Sequence, residues 1–203
     1  PQWRHYFRST LAHNTVCVDG ADQSAAGGPF MWLRKARTRV LAFDPNPDAG
    51  GAQRWLAQHD GYTRQPDPVL HQREVEWNAD QSRLTVTDTL HGHRAHEVCV
   101  AWHFAPDCTL TAQAQGYHVQ AAQATLLMQV QDPTSGTPAG TAGHWTHHRG
   151  NPDELLGWHS PRFGQRVPAA SLLWHTPIVG THTVRTHIVI LRNAQPKPRD
   201  NTT

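Results

Sequence analysis

Apolar and polar residues alternate with a period of two through most of this chain, and that period predicts β-strands. It is cleanest in residues 96–104, where Val98, Val100, Trp102 and Phe104 share one parity. On a pleated strand these four side chains project to one face. Residues 69–77 alternate in part, with Val75 and Trp77 together. Asn78-Ala79-Asp80 reads as a turn into residues 83–90. There Leu84, Val86 and Asp88 fall on one face and Thr85, Thr87 and Thr89 on the other. Shorter runs at 15–20, 36–43, 109–115, 117–120 and 125–130 fit the same template, and 183–191 is the last strong one.

Turn-forming residues punctuate the strands. Loops are expected at 25–29 (Ala-Ala-Gly-Gly-Pro), at 44–51 and at 132–143, the last as a mobile excursion. Asp153-Glu154-Leu155-Leu156 reads as a short helix, and no helix longer than two turns is expected. Many strands separated by turns, without helical periods between them, predict an all-β fold, an antiparallel multi-stranded β-sandwich. It should occupy residues 1–192 as one domain, with 193–203 as a flexible polar tail.

Composition narrows the class. The chain has 203 residues, 37% hydrophobic and 17% charged, which suits one sizeable core. A net charge of +2 with neutral histidines gives no basic tail for nucleic acid. No apolar run reaches the roughly 18 residues that a membrane span needs. Cys17, Cys99 and Cys108 are odd in number and form no CxxC pair, which argues against a disulfide framework or a cysteine-based zinc site. Cys17 and Cys99 lie in apolar runs and read as small buried hydrophobes. The 16 histidines would make the chain more cationic in acid and favour an anionic polymer, although a lineage bias explains them equally well.

The densest polar chemistry lies in residues 6–23. Arg8, Ser9, Thr10, His13 and Asn14 stand just before a Val-rich strand. Such a strand mouth can present polar groups to a ligand, or His13 and Asn14 can simply satisfy the backbone there. In His59-Asp60-Gly61-Tyr62, the acid could fix the imidazole tautomer and Tyr62 could stack on a sugar ring; the alternative is a turn with Tyr62 packed on the sheet. Arg8, Arg64 and Arg73 could grip carboxylate or sulfate with two N–H groups, or be surface charges. Trp3, Trp32, Trp55 and Trp158 are sugar platforms or core. His91, His93 and His96 read as solvated turn residues. His144, His147 and His148 have no acid close in sequence to complete a metal site.

The segment from Trp3 to Ser24, with its aromatic-Arg-Ser-Thr, Ala-His-Asn-Thr and Asp-Gly…Gln elements, resembles the heparinase II/III family of polysaccharide lyases. Later stretches fall in the order of that family: His59-Asp60-Gly61-Tyr62, Val69-Leu70-His71-Gln72-Arg73, Asp88-Thr89-Leu90-His91-Gly92, Trp102-His103-Phe104-Ala105-Pro106 and Gly157–Gly164. The resemblance covers roughly residues 3 to 192.

The resemblance implies the C-terminal β-sandwich of an enzyme whose N-terminal part is an α/α toroid. Such enzymes cleave uronate-containing chains by β-elimination; heparan-like polymers, alginate and exopolysaccharides are the expected substrates. His13 resembles one of three ligands, two His and one Asp, of a zinc site. The other two ligands, and the catalytic acid/base groups, are expected upstream of Pro1, so the isolated chain should be inactive and without zinc. Arg8, Asn14, His59 and Tyr62 are the expected substrate-binding residues. Acidic polysaccharide and the toroid are the expected partners, and the periplasm or the exterior the expected location. A noncatalytic carbohydrate-binding β-sandwich is the rival reading. Separated from a toroid, the domain should expose apolar surface and aggregate or oligomerise; a stable monomer would favour an independent module.

Overall fold

A computed structural model describes residues 2–46, 51–134 and 143–191, and the expected tail at 193–203 lies outside them. A short helix α1 (Gln2–Tyr6) and a 3-10 turn (Thr10–Ala12) lead into the strands. These are β1 (Val16–Val18), β2 (Ala25–Gly28), β3 (Met31–Arg34), β4 (Thr38–Asp44), β5 (Gln53–Tyr62), β6 (Val69–Asn78), β7 (Arg83–His91) and β8 (Ala95–His103). They continue as β9 (Thr109–Gln113), β10 (Gly116–Gln120), β11 (Thr125–Gln131), β12 (His144–Arg149), β13 (Trp158–His159), β14 (Val167–Pro168), β15 (Ala170–Val179) and β16 (His182–Leu191). No helix among the described residues is long and apolar enough to cross a membrane.

The strands form an eight-stranded antiparallel sheet in the order β4-β5-β6-β7-β16-β11-β10-β9 and a four-stranded sheet in the order β1-β8-β15-β12. The all-β sandwich therefore stands. Its core lies between the two layers. One side supplies Val16, Val18, Val98, Val100, Trp102, Leu172, Trp174 and Ile178; the other supplies Tyr62, Val69, Val86, Leu90, Met128, Val130 and Val184. The even parity read in residues 96–104 is this inner face. Each buried Val or Leu contributes about 1.5–3 kcal/mol, which outweighs the smaller intrinsic preferences of single residues.

Several local expectations change. Residues 25–28 are a strand paired with β3, because the tight Gly28-Pro29 turn folds the chain back on itself. Gly28 takes φ +157° there. Residues 153–156 form a turn held by Asn151 and Glu154 instead of a helix. Strands β5, β12 and β15 were not anticipated. Of the loops, residues 47–50 and 135–142 lie outside the described residues. The three cysteines are free, and Cys17 faces Cys99 directly across the β1–β8 pair.

Candidate functional site

The segment from Arg8 to Gln23 is fastened before it presents anything. Asp22 Oδ1 accepts the Thr10 N–H at 2.7 Å, and Thr10 Oγ1 accepts the Gln23 N–H at 2.8 Å. Gln23 Nε2 then donates to Thr15 Oγ1 and to the Val16 carbonyl. The 3-10 turn is thus tied to the far side of β1, which leaves His13 on an extended backbone at its end.

His13 is exposed, and its Nδ1–H donates to the Ser9 carbonyl at 2.8 Å. A carbonyl can only accept, so this bond fixes the tautomer and leaves the Nε2 lone pair open. Next to it, His103 at the end of β8 is locked at both nitrogens. Its Nε2–H donates to Leu11 O at 2.9 Å, and its Nδ1 accepts from Ser171 Oγ at 2.8 Å. Ser171 in turn accepts the Gly157 N–H. Burial pushes the His103 pKa down against the pull of the Leu11 carbonyl, and the neighbouring His13 adds to the fall. Both imidazoles line a cavity of about 310 Å³ together with Phe7, Trp158 and Ser160. Gly157 sets the approach of Trp158: at φ +84°, a Cβ there would meet the Arg149 backbone at 2.7 Å, so the position demands glycine.

Asn14 is a fastener. Its Oδ1 accepts the His103 N–H at 2.7 Å, and its carbonyl accepts Arg73 Nη1 at 2.5 Å. Arg73 grips Asp88 with Nε and Nη2, and His71 Nε2 donates to the same carboxylate at 2.6 Å. Farther along, His59 Nδ1 accepts the Gly61 N–H, so His59 Nε2 donates to His71 Nδ1 at 2.9 Å. A continuous chain of polar groups, buried at His71 and Asp88, therefore runs from His59 to the residue after His13. Burial and the facing His71 lower the His59 pKa to about 4. Burial would raise the Asp88 carboxyl, but Arg73 and His71 outweigh it and hold it at about 2.

The expected substrate-binding residues are not gathered in one site. Tyr62 is corrected outright: it is fully buried, and its hydroxyl donates to Val16 O at 2.7 Å, so no ring face is open to a sugar. His59 is half-buried and committed to His71, and Asp60 does not orient it; that carboxylate accepts the Arg37 N–H instead. Gly61 lies within β5, not at positive φ. Arg8 donates to the Gly28, Pro29 and Met31 carbonyls and lies over Trp32. Arg64 likewise donates to Gln23, Gly61 and Asp22 carbonyls. His96 is buried between Asp19 and Asp67, not solvated, and His148 meets Glu154 at 2.6 Å. The sequence reading missed Asp88, His71 and His103. The inward parity of Asp88 on an otherwise apolar face was the available signal.

The open Nε2 of His13 has the chemistry of a metal ligand, with the other ring nitrogen oriented by a carbonyl. Zinc takes at least three protein ligands, and among the described residues no three His, Cys, Asp or Glu groups converge to hold a metal.

The model of the family described as heparinase II/III-like, C-terminal, matches residues 1–195. No curated protein sequence matches. Among solved structures, a heparinase III gene product superposes with TM-score 0.69 at 14% identity, over 95% of this chain and 26% of that one. Heparan sulfate lyase HepC from Pedobacter heparinus gives TM-score 0.69 at 14% identity, over 96% and 26%. At that identity the superpositions show the fold alone, and the chain spans about a quarter of the length of those structures.

Proposed function

Because the chain belongs to the heparinase II/III-like family through its C-terminal domain, we propose that it forms the β-sandwich part of a polysaccharide lyase. The reaction is β-elimination on a uronate-containing chain. A base removes the proton at C5, the C4=C5 double bond forms, the C4–O4 bond breaks, and an acid protonates the departing oxygen. The C5 proton is weakly acidic, so the adjoining carboxylate must be neutralised as negative charge develops. The acid, the base and the groups on that carboxylate belong, in this reading, to an α/α toroid in the same protein. A heparan-like polymer, alginate or an exopolysaccharide is the substrate, and the periplasm or the exterior the place where such polymers are met.

This chain's own residues build one wall of the cleft. The observation that carries the reading is the open Nε2 of His13 on the rim of a cavity, with its tautomer set by Ser9. His103 and Asn14 hold that rim in place. His13 would hold zinc together with ligands from elsewhere in the protein, and the ion would supply a fixed positive charge at that rim.

The test is production of an unsaturated uronate, read by its ultraviolet absorbance, when the full-length protein meets acidic polysaccharides. The 203-residue chain alone should give none. His13→Ala in the full-length protein should lower its zinc content; equal zinc would remove the metal from this account. A noncatalytic carbohydrate-binding module is the second reading, favoured by an adjoining arginine- and aromatic-lined cavity of about 500 Å³. Saccharide binding without any unsaturated product from the full-length protein would select it.

A further inference from the structure

The 500 Å³ cavity adjoins the His13 site, because Phe7 and Ser160 line both. Its walls include Trp3, Phe163, Arg4, Arg8 and Arg166, and no aspartate or glutamate. Three cations facing no carboxylate favour an anion there.

The three arginines are not equivalent. Arg4 donates to Pro29 O through Nε and Nη2, and Arg8 donates to the carbonyls of the β2–β3 hairpin. Arg166 makes no hydrogen bond to the described residues, although its position is fixed. Its guanidinium carbon lies 4.1 Å from the ring centre of Trp3 and 5.1 Å from that of Trp158, and the two indoles meet edge to face at 5.8 Å. Cation–π attraction to the two rings holds the guanidinium there, and its N–H donors, unspent on the described residues, are open to a planar or tetrahedral oxyanion. Phe163, which also lines this cavity, is 93% exposed. A free ring near a fixed cation suits a sugar, whose C–H face packs on the ring while its acid meets the fork.

We infer that Arg166, held against Trp3 and Trp158, is the anion-recognising centre of a saccharide subsite, and takes the carboxylate or sulfate of an acidic sugar in the cavity that adjoins the His13 site. The inference rests on the lyase reading for the polymer but not for the binding. The cavity has the size and concavity of a small-ligand site, unlike a flat domain contact.

The experiment follows tryptophan fluorescence by stopped flow, before turnover, as the full-length protein mixes with a tetrasaccharide. Three probes are compared: an unsulfated uronate tetrasaccharide, its sulfated counterpart and neutral cellotetraose. At least one acidic probe should bind, more weakly as salt rises, and cellotetraose should not. The stronger of the two acidic probes identifies the group at Arg166. Arg166→Ala should weaken that binding about tenfold or more, and Arg166→Lys should restore only part, because lysine lacks the planar fork. Phe163→Ala, at a position 93% exposed and so of little weight in folding, should weaken it less.

Unchanged binding by Arg166→Ala, or equal binding of cellotetraose, overturns the subsite. So does an Arg166→Ala protein whose domains separate while its saccharide affinity holds, since the arginine would then serve an acidic group of the protein itself. Arg166-dependent binding without any unsaturated product would keep the subsite and remove the lyase. Product formation with binding indifferent to Arg166 would do the reverse.

Discussion

Arg73 and Asp88 face each other across β6 and β7 and meet in a two-pronged pair, Nε to Oδ1 at 2.7 Å and Nη2 to Oδ2 at 2.9 Å. The carboxylate is 1% exposed, yet the same guanidinium reaches Asn14 beside the candidate ligand. A fully buried charge persists only when its partners satisfy it. This pair is therefore both a structural necessity and the tether of the site rim.

Removing either member should be costly. Asp88→Asn or Arg73→Ala leaves one charge unmatched, and a loss of about 3–5 kcal/mol is expected in urea denaturation. The Asp88 pKa, at about 2, lies below the value near 3.9 of an unfolded aspartate. Its contribution is thus fully present above about pH 4 and lost as pH falls through the folded value. The acid limb of the stability curve should flatten in Asp88→Asn relative to the parent protein.

His96 and His59 should respond to pH with opposite signs. Burial works against a charged His96, but hydrogen bonds from its two nitrogens to Asp19 and Asp67 win and raise its pKa. Its stabilisation is complete below the unfolded value near 6.5 and fades as pH climbs through the raised folded value. His59 is lowered to about 4, so it favours the fold above about 6.5 and less so as pH drops toward 4. Denaturation midpoints of His96→Asn and His59→Gln against pH should lose the alkaline and the acid slope respectively. The same slope in both variants would refute the assignment.

Tyr62 should matter for stability and not for binding. Tyr62→Phe removes a buried hydroxyl whose acceptor, Val16 O, also receives Gln23 Nε2, so about 0.5–1.5 kcal/mol should be lost. Tyr62→Ala opens a core cavity and should cost about 3–5 kcal/mol. Saccharide affinity of Tyr62→Phe should equal that of the parent protein; a large drop would restore Tyr62 to the binding residues.

Periodicity revealed the strands that bury one face. Residues 69–77, 83–90 and 96–104 correspond closely to β6, β7 and β8. It failed where the environment removes the contrast between faces. Strand β15 is central in its sheet and buried almost continuously from Ala170 to Trp174, so it shows no alternation, and Pro177 reads as a stop. In β5 the first three residues are exposed whatever their polarity, Trp55 among them, and Asp60-Gly61 mimics a turn. His13 was visible because its motif is continuous in sequence. Its supports were not, because Asp88, Arg73 and Asn14 are brought together over separations of 15 and 59 residues. Nothing local marks such pairs. Side-chain commitment was equally hidden: Arg8 and Arg64 look like free cations until the carbonyls they serve are in view.

Eight strands set against four leave an overhang. β4 is the outermost ribbon of the larger layer, and Val40, Phe43 and the adjacent Trp55 of β5 remain open to solvent. Among the described residues no strand pairs with the outer edge of β4, and such a greasy border is an adhesive ledge for any other polypeptide in reach. Colloidal behaviour of the chain is consequently written in this border, none of whose three open residues lines either cavity, and lysines introduced at positions 40 and 43 would keep it dispersed while the interior and the arginine pocket stay as they are.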